Sequence, residues 1–75
     1  MEKVIKNYVY CHITLIKGSM AVVEVDQWLA SKIGINMVSV YNLSHKWDKF
    51  MFNNIYQYIS TLARVEDIDI TITRV

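Results

Sequence analysis

Proline is absent from the chain, glycine occurs twice and cysteine once, and each scarcity removes a class of answers. A single cysteine, Cys11, cannot close an intramolecular disulfide or supply a cysteine-based zinc site, so a reducing, cytoplasmic setting is expected. With only Gly18 and Gly34 to punctuate it, the sequence shows no linker, repeat or low-complexity run, and its 75 residues read as one domain. No stretch approaches the roughly 18 uninterrupted apolar residues of a membrane span, and MEKVIKNYVY at the start lacks the apolar core of a secretion signal. A soluble protein with no membrane partner is the expectation. Charge of one sign is missing too. Eight Lys and Arg against seven Asp and Glu leave +1, which argues against tight nucleic-acid binding, because gripping phosphates normally takes a basic face. Phosphate-cradling glycine loops, zinc-binding H-E-x-x-H and nucleophile elbows are all lacking, so neither catalysis nor a cofactor is expected.

What is present is apolar surface. Hydrophobic residues make up 53% of the chain before glycine is counted, above the usual share of about 45–50% with glycine included. A domain this small buries only about 60% of its unfolded surface. The surplus points to a homo-oligomer, most simply a dimer.

The hydrophobic pattern predicts a small two-layer α+β domain. Residues 8–16 read as a first strand, apolar on both faces apart from Tyr8, Tyr10, His12 and Thr14, and therefore central or at a dimer seam. Residues 20–25 admit two readings. With Ser19 as N-cap, a helix over 20–33 would align Val22, Val25, Leu29 and Ile33 on one stripe. With a hairpin at Lys17 and Gly18, 20–25 becomes a second strand and the helix starts only after Asp26. The stripe tips the balance toward the helix. Residues 37–43 are compatible with helix or strand. The clearest element is a long amphipathic helix over 45–65, with Ser44 as its expected cap. Its apolar arc spans Trp47, Met51, Phe52, Ile55, Tyr56, Tyr58, Ile59, Leu62 and Ala63, wider than one sheet face covers, and the edge formed by Phe52, Tyr56 and Ala63 is the expected subunit contact. Phe50 falls on the wet side. A last strand over 67–74 alternates Ile68, Ile70 and Ile72 with Asp69, Thr71 and Thr73, as a half-buried strand does.

The window 26–45, DQWLASKIGINMVSVYNLSH, carries the one motif with functional content. Asp26 can cap a first helix. Leu29, Ala30 and Ile33 would face inward, Gly34 would take a turn needing positive φ, Ile35 would close it, and Val40 and Leu43 would anchor a second helix. In these residues the chain resembles the helix-turn-helix DNA-binding families. The resemblance implies a recognition helix exposing Asn36, Met37, Tyr41, Asn42 and His45, with Lys32, Lys46 and Lys49 on phosphates of duplex DNA. A strand followed by helices also resembles the ribbon-helix-helix regulators, although Tyr8, Tyr10, His12 and Thr14 lack the Arg, Lys, Gln or Asn that bidentate base contacts favour.

Two functional expectations follow. One is a small dimeric DNA-binding transcriptional regulator. The other is a non-enzymatic interaction protein, such as an accessory or inhibitory subunit encoded by a virus or other mobile element, that binds a host or cognate protein. Its interface would draw on Tyr8, Tyr10, His12, Phe50, Phe52 and Tyr56, because Tyr, Trp and Phe anchor protein interfaces. Cys11 beside His12 is not a thiol and its base, since strand neighbours point to opposite faces; Cys11 reads as core. Glu66, Asp67 and Asp69 make a solvated acidic corner rather than a metal site, and His45 has no partner at i+4.

Overall fold

The computed structural model describes residues 9–66 and 68–75. The order of elements is β1 (Cys11–Ile16), β2 (Met20–Val25), α1 (Gln27–Ile33), β3 (Val38–Asn42), α2 (Lys46–Glu66) and β4 (Thr71–Arg74), an α+β arrangement with the long helix and C-terminal strand as expected. The strands form one mixed sheet in the order β3-β2-β1-β4. β1 and β2 are an antiparallel hairpin with Cys11 opposite Val25 and Ile16 opposite Met20. β3 lies antiparallel to β2, and β4 lies parallel to β1 with Ile13 opposite Ile72. The β3–α2–β4 connection therefore crosses two strands, and a parallel return of that kind requires a long element such as the 21-residue α2.

Period-two burial decides which side of the sheet is core. Cys11, Ile13, Ala21, Val23, Val25 and Tyr41 point to the helices and are buried, while their neighbours His12, Thr14, Val22, Glu24 and Val40 point the other way. From above, α2 presses Phe52, Ile55, Ile59 and Leu62 onto this layer, spaced 3, 4 and 3 residues so that they share one helical face. Leu29 and Ala30 from α1, and Ile68 after α2, complete the core.

Residues 20–25 form β2, not the start of a helix. The stripe of Val22, Val25, Leu29 and Ile33 is a coincidence of spacing: Ala21, Val23 and Val25 alternate inward, and both edges of the strand find partners in β1 and β3. Gly18 at φ 104 closes the hairpin, a backbone state that glycine adopts without strain. Ser19 caps nothing here; its carbonyl accepts the Leu43 N–H. α1 instead begins after Asp26, whose carboxylate accepts the Leu29 N–H at 2.9 Å. Asp26 also holds the residue before β1, donating its N–H to the Tyr10 carbonyl at 3.1 Å. Gly34 ends α1 at φ 77 with its N–H on the Ala30 carbonyl.

The open choice at 37–43 resolves to strand. The window 26–45 is thus helix, turn and strand, and the recognition helix expected to expose Asn36, Tyr41, Asn42 and His45 is not formed: alternating Val38, Val40 and Tyr41 pair along β2 instead. Ser44 does not cap α2 with its side chain. Its hydroxyl turns back to the Asn42 carboxamide at 2.6 Å, and the first helical carbonyl is that of His45, which accepts the Lys49 N–H. The C-terminal strand is shorter than the alternation implied: Ile68 is buried in the core, yet ladder pairing begins only at Thr71, and Asp67 lies outside the described residues.

Candidate functional site

Two surfaces stand out, and both follow from how α2 is seated. The first is the side of the sheet away from the helices. The register sets His12, Thr14 and Ile16 of β1 beside Met20, Val22 and Glu24 of β2, with Val38 and Val40 of β3 on one flank and Thr71 and Thr73 of β4 on the other. Among the described residues nothing covers this side, and Val38 and Val40 remain 55% and 57% exposed. Antiparallel strands that meet water normally put polar residues there, so a valine cluster at these positions is out of pattern.

The polar half of the same face is internally satisfied. His12 Nε2 lies 2.8 Å from the Thr73 hydroxyl, its Nδ1 lies 3.3 Å from the Tyr10 hydroxyl, and that hydroxyl donates to Glu24 at 3.3 Å. His12 Nδ1 and the Glu24 carboxylate are 3.8 Å apart. Desolvation, then the neighbouring carboxylate, raises the Tyr10 phenol above its ordinary pKa. These contacts tie β4, β1 and β2 together and leave Glu24 with partners.

The second surface is the outer side of α2. Trp47 is 68% exposed and meets Phe50 edge to face at 6.1 Å. Met51, Tyr58 and Val65 are exposed along the same flank as Trp47. The helix thus carries its surplus apolar edge on the Trp47 side. Phe52, expected at a subunit contact, is buried against Tyr41 at 5.8 Å between ring centroids, and Tyr56 stacks on Phe52 at 5.9 Å while staying partly exposed. Ala63 packs at the core margin.

The residues expected to contact DNA are dispersed. Lys32 lies over the Trp28 ring at 5.0 Å on α1. Asn36 and Met37 are exposed in the turn before β3. Tyr41 is only 9% exposed beneath α2 and unavailable to a base; burial pushes its phenol up in pKa, with a Ser39 hydrogen bond opposing. The Asn42 side chain is spent on Ser44, accepting its N–H at 3.1 Å. Only His45, Lys46 and Lys49 come together, at the exposed start of α2. Of the expected interface residues, Tyr10 and His12 share the uncovered sheet face, Phe50 lies on the outer side of α2, and Tyr8 falls outside the described residues.

Cys11 is 3% exposed, and burial, with the Asp26 charge adding, pushes its thiol up to about 11. A thiol so protonated is a poor nucleophile. The depression beside it, about 240 Å³ and lined by Tyr10, Cys11, Asp26, Asp69 and Thr71, is below the ~300–1,000 Å³ typical of small-molecule sites. Among the described residues no trio of His, Cys, Asp or Glu gathers as metal ligands, and no helix is long and apolar enough to cross a membrane. No protein-family model matches the chain, and no curated protein or solved structure matches it either.

Proposed function

We propose that this chain is a non-catalytic interaction domain that works as a homodimer, with the uncovered face of its sheet as the contact surface. The observation that carries the reading is the cluster of Ile16, Met20, Val22, Val38 and Val40 on a side of the sheet that nothing among the described residues covers. A second copy suits this face better than an unrelated partner for two reasons. The face divides into an apolar half on β2 and β3 and a hydrogen-bonding half around His12, so a two-fold axis lying between the paired faces and perpendicular to the strands sets like against like. The carboxylate in the ladder on this face, Glu24, already has Tyr10 and His12 as partners, so pairing would not leave it an orphan charge. Two such sheets would stack about 10 Å apart with their strands nearly aligned, interdigitating the valines.

Sedimentation equilibrium tests the reading. Wild-type protein should be dimeric at tens of micromolar, and Val40→Lys, which places a charge at an exposed strand position without touching the core, should be monomeric with an unchanged circular dichroism spectrum. A wild-type monomer at that concentration, or a dimer untouched by the substitution, rejects it.

A further inference from the structure

The solvent side of α2 holds a stripe that the sheet face does not explain. At 100° per residue, Lys46, Lys49, Phe50, Asn53, Gln57 and Arg64 fall within one arc of about 100°, opposite Ile55, Ile59 and Leu62. All six are exposed. The arc holds three cations and two carboxamides and no carboxylate. The two acids of α2 lie elsewhere: Asp48 accepts the backbone N–H of Asn42 at 3.1 Å, and Glu66 is the last residue of the helix. Glu24 sits on the far side of the sheet and Asp26 caps α1, so the even net charge of the chain conceals a helix face of one sign.

From these placements we infer that α2 binds duplex DNA by lying in the major groove of an A·T-rich segment. From Lys46 to Arg64 the helix rises about 27 Å, and a B-form major groove about 12 Å wide admits an α-helix. Lys46 and Lys49 at one end and Arg64 at the other reach phosphates, which position the helix without reading sequence. Asn53 and Gln57 sit at the centre, one turn apart, and their amide groups have the donor and acceptor that pair with adenine N7 and N6. Phe50 on the same arc supplies apolar contact for a thymine methyl. Asn, Gln and Phe together select A·T pairs; carboxamides in this number would add nothing on a lipid surface, where cations and apolar rings alone do the binding. The surface lies on the opposite side of the domain from the uncovered sheet face and is independent of the dimer proposed there.

The test is fluorescence anisotropy of the full chain on a labelled A·T-rich duplex, a G·C-rich duplex and the single strand of the first, each titrated from low to moderate KCl. The inference expects the A·T duplex to bind tightest, with log K falling against log salt at a slope of about −3 for three phosphate contacts. Lys46→Gln, Lys49→Gln and Arg64→Gln should each reduce the slope by about one, whereas Lys32→Gln on α1 should not change it. The double variant Asn53→Ala with Gln57→Ala should erase the A·T preference and keep the slope. Circular dichroism confirms that each variant is folded, as substitutions at exposed helix positions should be. No binding at low salt, tighter binding to the single strand or to phosphatidylserine vesicles, equal binding to both duplexes, or an Lys32→Gln effect as large as that of Lys46→Gln overturns it.

Discussion

Replacing Ile59 with alanine should cost about 3 kcal/mol of folding free energy, within the ~2–5 range of such truncations. Ile59 has no exposed surface and stands midway along α2 between Ile55 and Leu62, where the helix bears on the sheet. The substitution deletes three carbons, each worth about 0.8 kcal/mol in transfer from water. A cavity adds to that loss wherever β1 and β2 cannot collapse inward, and the ladder pairing of both strands holds them in place. Alanine's better helix propensity returns only a few tenths of a kcal/mol. For a 75-residue chain the whole stability is on the order of 4–11 kcal/mol, so the variant should lose about a quarter or more of it, with Tm falling by roughly 12–24 °C. Urea unfolding followed at fixed protein concentration, by helical circular dichroism and tryptophan fluorescence, measures the loss. Thr61→Ala, two residues on and exposed, is the matched control and should stay within about 0.5 kcal/mol of wild type. Equal losses at the two positions, or less than about 0.5 kcal/mol at Ile59, would show that α2 is not seated on the sheet along this face.

Cys11 should resist alkylation in the folded protein and react once urea unfolds it, since its thiol is buried and pushed up to about 11. Because the folded value lies above the ordinary 9.0, its stabilising contribution is fully present below pH 9 and is lost as pH rises toward 11, by about 2–3 kcal/mol; Cys11→Ala should flatten that part of the stability–pH curve relative to wild type. Asp26→Ala removes the acceptor for the Leu29 N–H and should cost about 1 kcal/mol in chemical denaturation, while Asp26→Asn should recover most of it. Gly34→Ala should cost about 1 kcal/mol through its positive φ alone, because a Cβ there meets nothing within 4 Å; a much larger loss would mean that the turn is packed more tightly than the structure shows.

Local signals in the chain were legible where one rule dominated. The 3.6-residue rhythm of α2 and glycine at the positive-φ turn after Ile33 are both found, and of the two starts open for α1 the structure takes the one capped by the Asp26 carboxylate, not the favoured one at Ser19. Residues 20–25 misled because Val22, Val25, Leu29 and Ile33 satisfy a helical stripe while Ala21, Val23 and Val25 satisfy a strand, and only the partners in β1 and β3 decide between them. The same ambiguity lay under 37–43: a motif match built from Ala30, Gly34 and Val40 cannot distinguish a second helix from an edge strand. Tyr41 was expected outside and is inside, because strand alternation, not helical phase, sets its direction toward Phe52. On α2 the breadth of the apolar arc was readable, but not which edge stayed wet. Tyr41 took Phe52 into the core, and the exposed edge became Trp47, Met51 and Tyr58. An uncovered sheet face follows from the two-layer expectation, but the valines that line it could not be read from the chain, since that needs 20–25 and 37–43 both to be strands.

The most direct test of that face is the concentration dependence of backbone ¹H–¹⁵N NMR shifts. If the sheet face is the contact between copies, dilution should move the amides of Val22, Val38 and Val40 together while those of Asn53, Gln57 and Thr61 on the outer side of α2 stay fixed. Shifts confined to α2, or none at any concentration, would contradict the account.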